Sequence, residues 1–184
     1  MNKMQKYIYY DDKKLFSKIE PFLYGKILKV GNGLGYLSTF TEEKFKDVEV
    51  IDIVVNKLAK NKNKVKIYNG KNFPFKDKSF DCVLCVFVLH HTSNPITVLN
   101  EIKRVGKRII VLEETYENLL SKLDLVYRDL YINGLAGQTY KIHWNSYFRK
   151  DKVSKILTKG GFKIISHSQE KKRKYWKELF VLED

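Results

Sequence analysis

A short apolar run, Lys26-Ile27-Leu28-Lys29-Val30, leads directly into Gly31-Asn32-Gly33-Leu34-Gly35, and no other feature restricts the fold as strongly. Alternate glycines at the end of a strand take positive φ at little steric cost and let the backbone approach a bound molecule. Asp52 lies near the end of the next strand-like run, Val48 to Ile53, 17 residues after Gly35. An acidic side chain there can accept hydrogen bonds from both hydroxyls of a ribose, because ligands of open parallel sheets lie outside the carboxyl ends of the strands. Read alone, Asp52 also suits a simple turn cap. A nicotinamide dinucleotide is the competing ligand, but its fingerprint is G-x-G-x-x-G, and Tyr36 stands where the third glycine would fall. A ligand without phosphates fits the G-x-G-x-G spacing better.

The rest of the chain alternates strand-like and helical stretches, which argues for an α/β fold with a parallel sheet. Leu15, Phe16, Ile19 and Phe22 repeat at helical spacing and predict a lead-in helix over 11–22. Further strands are predicted at 65–68, 80–88 and 108–112, with helices over 34–45 and 95–105. Asn94 and Pro95 suit the start of the second of these helices. A less regular, Tyr-rich stretch spans 113–148, followed by a helix over 150–159 that ends at Gly160-Gly161. Segments 162–166 and 176–182 predict a terminal antiparallel hairpin.

The 184 residues, 43% of them hydrophobic, are read as one domain over 1–184, with a lead-in helix in 1–24 and a substrate cover over 113–148. No apolar run approaches the roughly 18 residues of a membrane span, so a soluble, cytoplasmic protein is expected. Cys82 and Cys85 lie in a strand-like run, where side chains three apart face opposite ways, and no second Cys/His pair completes a metal site. They read as two buried thiols, with no metal expected. The formal charge of +14 makes a nucleic-acid partner conceivable. The charge is mostly dispersed Lys, however, with only five Arg to grip phosphate in a bidentate way, so a solvated surface is favoured.

The glycine loop, Asp52, Asn69-Gly70-Lys71-Asn72-Phe73-Pro74-Phe75, Ser79-Phe80-Asp81 and Val88-Leu89-His90-His91 together resemble the class I S-adenosylmethionine-dependent methyltransferases, in particular the small-molecule branch. The resemblance runs over roughly residues 25–184. It implies a Rossmann-like doubly wound sheet of seven strands, order 3-2-1-4-5-7-6, with the last strand antiparallel. It also implies S-adenosylmethionine as cofactor, with Gly31, Gly33 and Gly35 beneath its methionine and ribose parts and Val30 and Asn32 in the same loop. Asp52, with Ile53 beside it, would hold the ribose. Asn69 and Gly70 would lie near the adenine amino group, and Val88, Leu89 and His90 around the sulfonium.

Two positions depart from the pattern. Lys29 stands where relatives place an acid that receives the cofactor's α-ammonium, and like charge there should weaken binding. Asn69 replaces an acid but keeps a carbonyl acceptor. The expected activity is methyl transfer to an unidentified, small-molecule acceptor. The alternatives are a methyltransferase of RNA or another anionic macromolecule, and a degenerate, non-catalytic binding domain. Candidate acid–base residues are His90, His91, Glu113, Glu114 and His143, each with packing or solvation as the plainer role.

Overall fold

The computed structural model of the protein describes residues 1–138 and 141–183. Its sheet contains β1 (Ile27–Val30), β2 (Val48–Asp52), β3 (Val65–Ile67), β4 (Phe80–Val86), β5 (Gly106–Tyr116), β6 (Phe148–Arg149), β7 (Lys163–Lys171) and β8 (Trp176–Glu183). The helices are α1 (Lys3–Ile19), α2 (Tyr36–Lys44), α3 (Pro95–Val105), α4 (Leu119–Leu135) and α5 (Lys152–Lys159). The strand order is β3-β2-β1-β4-β5-β8-β7, with β8 antiparallel to both neighbours. This is the expected seven-strand order with one addition. The two-residue β6 pairs with the far end of β5, so the last two strands carry the numbers 7 and 8.

β4 is buried along nearly its whole length because helices cover both faces of the sheet. Its alternation sorts the two cysteines as expected: Cys82 packs with Leu84 and Ile110 on one face, and Cys85 with Val83 and Val111 on the other. Both thiols are free and buried. α3 begins at Asn94, whose side chain accepts from the N–H groups of Ile96 and Thr97, and it lays Val98, Leu99, Ile102 and Val105 on the sheet.

α3 also straps down the 73–77 loop. Arg104 donates to the carbonyls of Phe73 and Phe75 and to Asp77, while Glu101 accepts from the Phe73 N–H at 2.6 Å. That loop delivers the chain into β4, so Asn69 to Phe75 is held by side chains rather than by strand pairing.

Several elements run longer than the sequence predicts, among them β7, which reaches Lys171. The lead-in helix starts at Lys3, because Asn2 and Gln5 form a capping box, and Tyr9 packs edge-on against Tyr36 and Phe40 of α2. The stretch from 113 is not irregular. β5 continues to Tyr116, and the 17-residue α4 follows from its Asn118 cap. Thr139 and Tyr140, inside the predicted cover, lie outside the described residues. Among the described residues no helix is long and apolar enough to cross a membrane.

Ile102 is fully buried between α3 and the sheet. Ile102→Ala is expected to lower unfolding free energy by about 2–5 kcal/mol, read from urea denaturation, with the strand content of the folded state unchanged.

Candidate active site

Parallel pairing brings three strand ends to one edge. Val30 of β1 lies beside Ile51 of β2 and Cys85 of β4, so Gly31, Asp52 and Val86 leave the sheet together. A cavity of about 690 Å³ opens there. Its floor is the glycine loop, where Gly31, Gly33 and Gly35 have φ of +72°, +58° and +77°. A Cβ on Gly31 would stand 2.6 Å from Val88 Cγ2, so the loop and the chain after β4 meet with no room for a side chain.

The loop is frozen from behind. Asn32 Nδ2 donates to Asn61, Ser38 donates to Asn32 Oδ1, and Asn61 Nδ2 donates to Glu42. Asn32 therefore offers the cavity its backbone, while its side chain holds the loop. Gly35, Val30 and Leu89 stand behind the wall: a Cβ on Gly35 would strike Asn61 Oδ1 at 2.2 Å, and Val30 and Leu89 are fully buried in the core.

Asp52 ties the second strand to this loop. One carboxylate oxygen accepts from the Asn32 N–H at 2.6 Å and the other from the N–H groups of Ile53 at 2.7 Å and Val54 at 3.4 Å, and the residue lines the cavity. Ile53 and Val54 are more than half exposed and line the cavity as an apolar shelf, with Gly70 against Ile53. The Asn69 carbonyl, expected to be available to a ligand, instead accepts from the N–H groups of Lys71 and Asn72 and closes a turn. Both of its lone pairs are thereby used.

Lys29 does not point into the cavity as a bare charge. Its Nζ curls onto the carbonyls of Val30 (3.0 Å) and Gly31 (2.6 Å), and the side chain is buried. Burial lowers its pKa, opposed by nearby Cys85, Asp12 and Asp52. Asp12 comes from α1, with a backbone hydrogen bond from Leu37 at the start of α2. Burial pushes its pKa up to about 6, against the attraction of Lys29. Asp12 and Lys29 line the same end of the cavity as Gly31. No pattern around Asp12 marks it in the sequence, because it reaches the site only when α1 docks.

The opposite wall follows β4. The turn Leu89–His91 carries His90 and His91, while Glu113 accepts from the Val88 and Leu89 N–H groups and lies 2.5 Å from His90 Nδ1. Asp129, on α4, faces both imidazoles: its Oδ1 is 3.8 Å from Nε2 of each. Asn133 donates to that oxygen and the Tyr147 hydroxyl to the other, at 2.7 and 2.5 Å. Burial opposes charge on His90, but Glu113 and Asp129 outweigh it and hold its pKa well above the usual value. Burial and neighbouring His90 push His91 down to about 3.

Glu114 is salt-bridged to Arg128 of α4, whose guanidinium lies 4.2 Å from the Tyr175 ring centre. Glu113 is thus a brace and Glu114 half of an ion pair, neither a solvated loop residue nor an open base. His143 lines the cavity beyond them. Asp129 and Arg128 were not singled out in the sequence; the Asn118 and Ser121 capping pair was the available signal for the helix that carries them.

Residues 28–109 match the family described as a methyltransferase domain. An uncharacterized protein of Methanocaldococcus jannaschii is 31% identical over 154 residues, covering 78% of this chain and 66% of that protein. The chain therefore spans about two thirds of the length of this curated relative. A SAM-dependent methyltransferase from Aquifex aeolicus superposes with a TM-score of 0.63 at 18% identity, over 94% of this chain and 89% of the other. Magnesium protoporphyrin IX methyltransferase from Synechocystis PCC 6803, solved with bound SAH, superposes with a TM-score of 0.63 at 17% identity, over 100% of this chain and 89% of the other. Over residues 28–109 the chain thus resembles a methyltransferase domain, and its strand order is the fold shared with these S-adenosylmethionine-dependent methyltransferases.

Asn61→Ala leaves the buried Asn32 amide without its acceptor. It is expected to cost about 1–3 kcal/mol in urea unfolding and to speed amide hydrogen exchange at Gly33 and Gly35.

Proposed function

We propose that the protein binds S-adenosylmethionine in this cavity and transfers its methyl group to a small-molecule acceptor. The observation that carries the reading is Asp52: a cavity-lining carboxylate beside the glycine loop, fixed by the N–H groups of Asn32, Ile53 and Val54, with Oδ2 accepting only the Asn32 bond among the described residues. Such a group takes ribose hydroxyls and disfavours a phosphate on that ribose. The Ile53–Val54 shelf suits the flat face of adenine. Five carboxylates line the cavity beside Lys29, Lys71, Arg128 and three histidines, so the wall is far less basic than the chain as a whole and does not repel a cofactor of net positive charge.

Asp12 supplies what Lys29 lacks. The lysine ammonium is held by two carbonyls, and the carboxylate from α1 meets the cofactor's α-ammonium at the same end of the cavity. S-Adenosylmethionine brings an already activated methyl group. The chain's own contribution is alignment: the glycine loop and Val88 confine one side, while the wall of His91, Asp129 and His143 confines the acceptor. At about 690 Å³ the cavity is of a size for small ligands rather than an open groove for a polymer.

Titration calorimetry with S-adenosylmethionine and its demethylated product tests the reading. Saturable binding of both is expected, and no heat at millimolar ligand overturns it. Strong, salt-sensitive retention on RNA would move the acceptor to a macromolecule.

Asp52→Ala is expected to weaken cofactor binding by at least tenfold, about 1.4 kcal/mol, without a comparable loss of thermal stability. Affinity should also fall as pH drops through about 6, because protonating Asp12 removes the negative charge that meets the ammonium. Lys29, Asp11 and Lys177 face Asp12. Calorimetry between pH 5 and 8 on the natural protein and on Asp12→Asn checks this, and the variant's affinity should be weaker and nearly flat with pH.

A further inference from the structure

The acceptor wall holds two imidazoles and a carboxylate directed at one another, and nothing above requires that convergence. One ring nitrogen of His90, one of His91 and an Asp129 carboxylate oxygen lie within 4.8 Å of one another, and Nε2 of each ring is 3.8 Å from Asp129 Oδ1. Donors bound about 2.1 Å from a common tetrahedral ion stand about 3.4 Å apart, so each nitrogen closes on the Asp129 oxygen by about 0.4 Å and the two nitrogens on each other by at most about 1.4 Å.

The surroundings are those of a ligand set held in place. Glu113 sits 2.5 Å from the outward nitrogen of His90, and it is itself pinned by the Val88 and Leu89 N–H groups. A carboxylate behind a histidine fixes the ring and the nitrogen it presents, and ligating histidines commonly have such a partner. Asp129 is oriented in the same manner by Asn133 and Tyr147. His90 and Glu113 are buried, whereas His91 keeps partial exposure toward the cavity, which gives an ion a way in.

We propose that His90, His91 and Asp129 bind a divalent first-row transition-metal ion, of the zinc and cobalt type, with its remaining coordination positions open to the cavity. Imidazole donors select such ions over magnesium and calcium, which prefer all-oxygen sets. On the methyl-transfer reading, the open positions would take an oxygen or thiolate of the acceptor and hold it across from the glycine loop. Ion binding itself does not depend on that reading.

The test uses the full chain without cofactor, dialysed free of metal, and titrated separately with Zn²⁺, Co²⁺ and Mg²⁺. Expected are one Zn²⁺ per chain, a visible ligand-field spectrum with Co²⁺, a rise in melting temperature with Zn²⁺, and no response to Mg²⁺. His91→Ala and Asp129→Asn should each lose at least tenfold in Zn²⁺ affinity, with circular dichroism confirming that they remain folded. Glu113→Gln, which leaves all three donors in place, should weaken binding by about 10–100-fold.

No retained Zn²⁺ in the natural protein overturns the proposal. Equal binding by folded His91→Ala does so too, by placing the ion elsewhere. Cofactor calorimetry on the same preparation separates this failure from failure of the methyltransferase reading.

Discussion

The site depends on β1 lying between β2 and β4 with both pairings parallel. Those two ladders fix where three strands end, and the end points fix everything beyond them. Because Val30 is level with Ile51 and Cys85, the Asp52 carboxylate arrives at the height of the Asn32 N–H, and their 2.6 Å hydrogen bond ties loop to strand. A one-residue slip in the β1–β2 ladder would turn Asp52 to the other face of the sheet, and one in the β1–β4 ladder would misplace Val88 against Gly31. The loop's own network, from Ser38 through Asn32 and Asn61 to Glu42, then needs only to keep the glycines in the shape that the ladders impose.

Charge is distributed unevenly around this frame. The chain carries a large surplus of lysine. Yet Asp11, Asp12, Asp52, Glu114 and Asp129 all line one cavity. Lysines elsewhere pair across the surface, as Lys18 does with Glu170 and Lys107 with Asp81, in contacts worth little individually. Inside the cavity the acids are held by backbone N–H groups, by Arg128, by Lys177 or by Tyr147, so their positions are set before any ligand arrives. The overall basicity of the chain therefore misrepresents the local field that a ligand meets.

Features decided by neighbours in sequence were legible there. The glycine loop, Asp52 at its strand end, the two thiols on opposite faces of β4 and the Asn94-Pro95 start of α3 each follow from local spacing. α4 was not, because its apolar residues go all the way round: Leu120, Leu123, Tyr127 and Tyr131 stay exposed, so the helical stripe is blurred. Tyrosines, with Asn133 and Gly134 near its end, also resemble a loop. Asp12 and Asp129 gain their significance only from tertiary docking, where no spacing rule reaches. Asn69 shows the opposite limit: its residue type suggested an acceptor for a ligand, but the turn at Lys71 and Asn72 claims the same oxygen.

α1 is joined to the sheet by packing and by two side-chain ion pairs, Lys18 with Glu170 and Asp11 with Lys177, with no strand ladder to hold it. Tyr9 lies against Tyr36 and Phe40 of α2, and Leu15 and Ile19 enter the core beneath. Since Asp12 is part of this helix, the buried cation at the end of β1 acquires its counter-charge only once the helix has settled. Occupancy of the cavity and attachment of the first twenty or so residues are therefore linked equilibria. A molecule that engages Asp12 should lower the rate at which this terminal segment detaches, and loosening the segment should reach the glycine loop without any change to it.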